Sequence, residues 1–125
     1  MKKFNYQKGN WGEGIARQFL EKKGFCLITS NFRTKWGEID LIMEEDKTVV
    51  FVEVKLKMGE NYGLPEEMIS SRKLRKIKKV AEIFLRDHPD LKEKKEGFRF
   101  DAVCIVTDER GSPKRISHYE NLVAD

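Results

Sequence analysis

The residues that could do chemistry lie in one stretch, GEIDLIMEEDKTVVFVEVKLK, at positions 37 to 57. Twelve residues separate Asp40 from Glu53, and Lys55 follows two positions after Glu53. Two carboxylates can hold a hard divalent cation such as Mg²⁺, which often takes only one or two protein carboxylates together with substrate phosphate oxygens. A neighbouring lysine could then orient water and offset charge on the phosphate. The spacing therefore indicates metal-assisted chemistry on a phosphate ester.

Whether the two carboxylates meet depends on how this stretch turns. Its strand-forming residues, interrupted near Asp46, predict an antiparallel hairpin. The numbers of opposed residues in such a hairpin add to a constant, and Asp40 opposes Glu53 when that constant is 93. A two-residue turn, Asp46–Lys47, or a four-residue turn gives this register, whereas a three-residue turn sends Asp40 to the other face. Opposed carboxylates destabilise a sheet, and a shared cation would remove the penalty.

An exposed hairpin with ordinary surface charges is the alternative interpretation. Glu53 and Lys55 would then point into solvent, as polar residues do on one face of many antiparallel sheets. The segment FVEV is apolar on both sides of Glu53, which favours a buried site over an exposed edge.

The rest of the chain supplies the elements that must position these residues. Turn signals and hydrophobic periodicity predict the order α-β-β-β-α-β-β. The predicted elements are a helix from Asn10 to Gly24, strands at 25–33, 98–108 and 115–119 beside the hairpin, a loop at 58–67, a helix from Ser71 to Asp87 and a charged connector at 90–97. We therefore predict an α/β fold with one mixed sheet flanked by helices, in a single domain spanning residues 1–125.

Composition excludes several classes of protein. Charged residues make up 37% of the chain and the mean hydropathy is −0.62, and we find neither a membrane-spanning run nor a secretory signal. Cys26 and Cys104 lack the paired spacing of a zinc site, so we predict reduced core residues. We expect a soluble, cytoplasmic protein without a membrane partner.

The second predicted helix carries concentrated positive charge. Its segment RKLRKIKK has six basic residues among eight and no acidic residue before Glu82. A solvated helix face is one interpretation, and a surface that binds nucleic-acid phosphates is the other. Lys73, on the first turn, is the candidate to reach the active site, and the loop with Tyr62 could close over substrate or be a plain connector. The candidate phosphate-binding residues are Arg72, Lys73, Arg75, Lys76, Lys78 and Lys79.

Four segments, WGE, GEIDLI, FVEVK and RFDAV, resemble in this order the YraN-like uncharacterised protein family. This family is related to archaeal Holliday junction resolvases, and the D…ExK pattern resembles the core of the restriction-endonuclease-like PD-(D/E)XK superfamily. No proline precedes Asp40, which departs from the superfamily's name. The resemblance implies a restriction-endonuclease-like fold, with Mg²⁺ or Mn²⁺ bound by Asp40, Glu53 and the Val54 carbonyl, and with Lys55 as the catalytic lysine.

Two further acidic residues match the family pattern. Glu13 matches a helical acidic residue that approaches the metal and would join the catalytic set, but with Asn10 as N-cap it would also fall at the N3 position of a capping box. Both interpretations stay open. Asp101 in RFDAV matches a position of unclear role, for which we favour a structural function.

The function implied by the resemblance is a metal-dependent endonuclease that hydrolyses DNA, with branched DNA such as Holliday junctions as the substrate suggested by analogy. A homodimer is compatible with this function. One alternative is a non-catalytic nucleic-acid-binding module with the same fold, and another is an adaptor that binds neither metal nor nucleic acid.

Overall fold

The computed structural model describes residues 2–59, 66 and 69–123, with side chains from residue 11 onward other than Lys94. The order of its elements confirms the predicted α/β fold, a mixed sheet flanked by helices. Tyr62 and most of the predicted loop 58–67 lie outside the described residues. The elements are α1 (Lys2–Lys22), β1 (Cys26–Thr34), β2 (Gly37–Glu45), β3 (Thr48–Met58), α2 (Ser71–Asp87), α3 (Pro89–Lys94), β4 (Gly97–Thr107) and β5 (Pro113–Tyr119).

Five strands form one sheet in the order β1-β2-β3-β4-β5. Neighbouring strands are antiparallel except β3 and β4, which run parallel along their whole length. A parallel pair needs a long crossover, and α2 with α3 lies in that connection. In chain order, α2 is therefore the first element after β3, the strand that carries Glu53 and Lys55.

The β2–β3 hairpin has the register that brings Asp40 opposite Glu53. Glu45 pairs with Thr48 across the two-residue turn Asp46–Lys47, and the numbers of each later pair also add to 93. Asp46 adopts φ 57°, a left-handed conformation that aspartate tolerates because its short side chain can hydrogen-bond locally.

Helices cover both faces of the sheet, which explains why β3 is almost continuously apolar. On one face Val50 and Val52 pack in a cluster with Leu20 of α1. On the other face Phe51 packs against Phe84 of α2, with ring centroids 6.0 Å apart. A strand buried on both faces has no solvent-exposed side, so any polar side chain on it must be removed from water at a cost in free energy. Glu53, which is 8% exposed, is therefore exceptional.

The helix termini agree in part with the sequence prediction. Gly24, with φ 100°, ends α1 as predicted, and the bonds Gly24 N–H to Glu21 O and Phe25 N–H to Leu20 O form a Schellman motif. The predicted start at Asn10 is wrong, because α1 already begins at Lys2. Poor helix formers cost a helix interior only about 1 kcal/mol or less, so Gly9 and Asn10 do not stop it.

Two other local predictions are wrong. The charged connector after α2 contains the short helix α3, which begins at Pro89 because proline suits the first helical position. Cys26 is exposed at the start of the edge strand β1, whereas Cys104 is buried as predicted. None of the helices in the described part of the chain is long and apolar enough to cross a membrane.

Asp101 holds β4, β5 and the segment after β5 together on the α1 face. Its fully buried carboxylate accepts hydrogen bonds from Arg99 Nε at 3.0 Å and from the Asn121 N–H at 3.0 Å, and it contacts His118 Nε2 at 2.8 Å. Burial alone would raise the pKa of Asp101, but the bonds from His118, Arg99 and Asn121 outweigh it and hold that pKa below its usual value. These contacts are those of a structural residue.

Replacing Asp101 by Asn should lower the free energy of unfolding at neutral pH by about 1.5 to 3 kcal/mol, because it removes the charged acceptor of these bonds while Arg99 keeps its ion pair with Glu45 at 3.0 Å. The stabilisation belongs to a carboxylate with a lowered pKa, so it is complete above the unfolded value of 3.8 and is lost as the pH falls through the folded value. Urea unfolding over an acid pH series measures this difference, with the exposed Glu82→Gln variant as control. A difference that persists undiminished in acid would contradict the prediction.

Candidate active site

The candidate site lies where β2 and β3 fork. Their ladder ends at the pair Leu41 and Val52, beyond which β2 pairs with β1 and β3 pairs with β4. Asp40 is the first residue past the ladder, and its Oδ2 accepts a hydrogen bond from the Val54 N–H at 2.8 Å. The N–H and C=O of one strand residue project to the same side. The Val54 carbonyl, which the resemblance assigns to a metal, therefore also faces the fork.

The alternation of side chains breaks at the same point. Ile39 and Ile42 both pack under α2, although three positions separate them, while Leu41 packs under α1. Across from Asp40, Asn31 of β1 has φ 53°, so the neighbouring strand is irregular at this point too. A local distortion of two strands thus turns Asp40 toward β3.

Asp40, which is half-buried, and Glu53, which is buried, form a carboxyl pair. Burial, then the hydrogen bond and the negative charge of Asp40, raise the pKa of Glu53 to about 8. Near neutral pH Glu53 therefore holds a proton. Two carboxyl groups that compete for one positive charge are a natural place for a cation.

Two lysines lie beside this pair. Lys55 Nζ is 3.9 Å from Glu53 Oε1, and Lys73 Nζ is 3.7 Å from the same oxygen. Burial, followed by contact with Lys73, lowers the pKa of Lys55 although Glu53 opposes the shift. Lys73 reaches the site from the first turn of α2, where Ser70 Oγ accepts its backbone N–H at 3.1 Å. The structure therefore brings Lys73 to the position that the sequence analysis expected.

Glu13 approaches Asp40 from α1. Burial and then the charge of Asp40 raise the pKa of Glu13, while a hydrogen bond with the Asn31 side chain lowers it. Because α1 begins well before Asn10, Glu13 is not part of a capping box. A place beside the candidate metal site is the interpretation of Glu13 that remains. Sequence analysis missed Asn31; the signal was an asparagine within a strand, since asparagine tolerates the left-handed backbone found here.

A groove between β2 and α2 leads to the carboxyl pair. Besides Asp40 and Glu53, it is lined by Trp36, Gly37, Glu38, Lys73, Lys76, Ile77 and Val80. Trp36 is the second residue that sequence analysis missed, because an isolated tryptophan in a turn carries no pattern. Arg72, Arg75, Lys78 and Lys79 are exposed on α2. Lys78 lies about 200° around the helix axis from Lys76, on the flank away from the groove.

The protein offers only a few ligands for a metal ion at this site. Among the described residues, no group of three or more His, Cys, Asp or Glu side chains is arranged to hold a metal ion together. Asp40, Glu53 and the Val54 carbonyl are oxygen donors, which is the ligand type of Mg²⁺ and Mn²⁺. Mg²⁺ commonly keeps several waters, so two carboxylates are an adequate protein share.

Fold and site together define a mixed-sheet α/β protein with a carboxyl pair and two lysines at a strand fork. The chain belongs to the Uncharacterised protein family UPF0102, whose family model matches residues 12–105. This membership confirms the resemblance to the YraN-like family seen in the sequence.

Relatives from several bacteria match nearly the whole chain. A UPF0102 protein of Caldicellulosiruptor bescii is 44% identical over 119 residues, which is 95% of both chains. A UPF0102 protein of Syntrophomonas wolfei is 38% identical over 94% of this chain and 97% of its own. A UPF0102 protein of Vibrio parahaemolyticus is 34% identical over 95% of this chain and 93% of its own. The similarity therefore extends over α1, the fork and α2.

The raised pKa of Glu53 predicts an unusual pH dependence of stability. Between the ordinary value of 4.5 and about 8, the folded state holds a proton on Glu53 that the unfolded state does not. The free energy of unfolding should therefore fall by a few kcal/mol as pH rises through this window. Gln resembles the protonated glutamate, so Glu53→Gln should remove most of this decline.

Urea unfolding with EDTA across that pH window measures the effect. Glu82→Gln, an exposed change on α2, should retain the wild-type decline. Parallel curves for wild type and Glu53→Gln would show that the proton is not on this pair.

Proposed function

We propose that this protein is a metal-dependent endonuclease that hydrolyses phosphodiester bonds of DNA. The observation that carries the proposal is the hydrogen-bonded pair Asp40–Glu53 with Lys55 and Lys73 within 4.0 Å of Glu53, at one end of a groove lined by a basic helix. Branched DNA such as Holliday junctions is the substrate class suggested by the resemblance. A cytoplasmic location accords with that substrate.

Asp40, Glu53 and the Val54 carbonyl oxygen would hold Mg²⁺ or Mn²⁺. When bound, such an ion stabilises charge on the phosphate and lowers the pKa of a coordinated water. Asp40 is fixed for this role by its bond to the Val54 N–H, which holds the carboxylate in one orientation beside Glu53. Glu13 adds a third acidic group near Asp40, and its raised pKa lets it accept a proton more readily than an exposed glutamate.

The lysines act on water and phosphate. Lys55 lies in a half-buried position with a lowered pKa, so it gives up a proton more readily than an exposed lysine. Lys73, which contacts the same oxygen of Glu53 from the first turn of α2, supplies a second ammonium group that can bind a non-bridging phosphate oxygen. The two roles separate proton transfer from charge stabilisation.

A non-catalytic nucleic-acid-binding module is the second candidate. The observation that favours it is the contact of both lysines with Glu53, because two ammonium groups can partner this carboxyl group without any metal ion. Such a module would bind DNA equally well with and without divalent metal, and it would cut no substrate.

Metal binding and cleavage should respond differently to three substitutions. Asp40→Asn and Glu53→Gln should each weaken Mg²⁺ or Mn²⁺ binding about tenfold or more, because each removes negative charge from the ion's ligands. Lys55→Ala should leave metal binding unchanged or tighter, since it removes a positive charge, while cleavage is lost. Calorimetric titration, paired with cleavage of labelled branched and linear DNA, measures the two effects.

Glu38→Gln is the matched control, because Glu38 lines the same groove but pairs with Arg33 at 2.8 Å instead of joining the carboxyl pair. It should bind metal as the wild type does. Equal metal affinity in all five proteins would reject the shared-cation site and favour the binding module.

The basic helix gives a prediction about salt dependence. Arg72→Gln with Lys76→Gln should weaken DNA binding and flatten the plot of log affinity against log salt by roughly 0.7 to 0.9 for each phosphate that the helix no longer neutralises. Lys78→Gln is the matched control, on the same helix but on the opposite flank, and should change the slope little. Fluorescence anisotropy over a salt series measures the slopes, and equal slopes in all variants would mean that this flank is merely solvated.

A further inference from the structure

Trp36 is held at the tip of the β1–β2 hairpin. Thr34 pairs with Gly37, so Lys35 and Trp36 form a two-residue turn. The Trp36 N–H donates to Thr34 Oγ1 at 3.0 Å, and that hydroxyl donates to the Gly37 carbonyl at 3.2 Å. Gly37 lies close to α2, since a Cβ atom there would be 3.6 Å from Val80 Cγ2. The turn is thus fixed beside the helix.

The Trp36 ring is exposed at the groove and surrounded by positive charge. Trp36 is 49% exposed and belongs to neither of the two hydrophobic clusters found among the described residues. Lys79 Nζ lies 3.9 Å and Lys35 Nζ 5.2 Å from the ring centroid, and Lys76 lines the same groove. An aromatic face among lysines matches a ligand that is both flat and anionic.

We propose that Trp36 is a stacking platform for an unpaired nucleobase of the strand that enters the groove. This inference rests on the nucleic-acid binding of the proposed function, not on cleavage. Every base has a face that can stack on an aromatic ring, and stacking needs no particular sequence. Paired bases inside a duplex have both faces covered by their neighbours, and a terminal pair exposes only one face, so the ring favours unpaired bases in single strands or at branch points.

The lysines take the phosphates on either side of that base. Lys79 already lies over the ring by a cation–π contact, which a stacked base would replace while the ammonium group moves to a neighbouring phosphate. Lys76, one turn nearer the α2 N-terminus, then lies toward the carboxyl pair. The order along the groove is therefore base, phosphate, and the candidate catalytic residues.

Tryptophan fluorescence tests the platform directly, because the chain has only two tryptophans. Trp11→Phe leaves Trp36 as the one reporter, and Trp36→Phe leaves Trp11. Both proteins are titrated in EDTA with an oligothymidylate of about twelve nucleotides and with a blunt duplex of equal length. We expect strong quenching by the single strand only in the Trp11→Phe protein, and much weaker quenching by the duplex.

Affinity measured by anisotropy of labelled DNA gives the second readout. Trp36→Leu should bind the single strand about tenfold more weakly, with duplex affinity and salt slope unchanged, because stacking is not electrostatic. Trp36→Phe should restore most of the affinity, and Trp11→Leu is the matched control. Melting curves establish that each variant is folded.

Equal loss of single-strand and duplex affinity in Trp36→Leu would overturn the platform, as would equal quenching of Trp36 by both ligands. Absence of any quenching or binding would overturn it together with the proposed function. Selective quenching in a protein that cuts no DNA with Mg²⁺ or Mn²⁺ would support the platform and overturn the endonuclease proposal alone.

Discussion

The hydrogen bond from the Val54 N–H to the Asp40 carboxylate is the interaction on which the site depends. It occurs where β2 and β3 stop pairing, and a side-chain oxygen there replaces the backbone acceptor that a continued ladder would supply. A buried N–H without a partner would be costly, so this bond makes the fork tolerable. It also fixes Asp40 beside Glu53, and the fork leaves space that α2 can approach with Lys73.

The sequence predicted the parts of this arrangement that follow from periodicity. The bounds of α2 and the hairpin register come from the spacing of apolar residues and from the two-residue turn, and this register brings Asp40 to the end of the ladder near Glu53. The register was one of several that the turn chemistry allowed, and the structure selects it. Placing Lys73 at the site needed only its position on the first turn of a helix that follows β3.

Tertiary distortions and weak local signals account for what the sequence did not predict. The break in alternation between Ile39 and Ile42 depends on how α2 and α1 divide the sheet, which no local pattern reports. The start of α1 was misplaced because Gly9 and Asn10 resemble a stop and a cap, although a helix can pass through both. Asn31 and Trp36 are single residues whose roles depend on neighbours far along the chain, Glu13 and Lys79.

The irregular β1 strand affects whether two molecules can associate through the edges of their sheets. As an edge strand it offers unpaired backbone groups, to which a strand of another molecule could add. Its register shift between Leu27 and Thr29, and the left-handed Asn31, interrupt the flat run of donors and acceptors that such an addition requires. The distortion of β1 that accompanies the turn of Asp40 toward β3 therefore also disfavours pairing of the exposed β1 edge with a strand of another molecule.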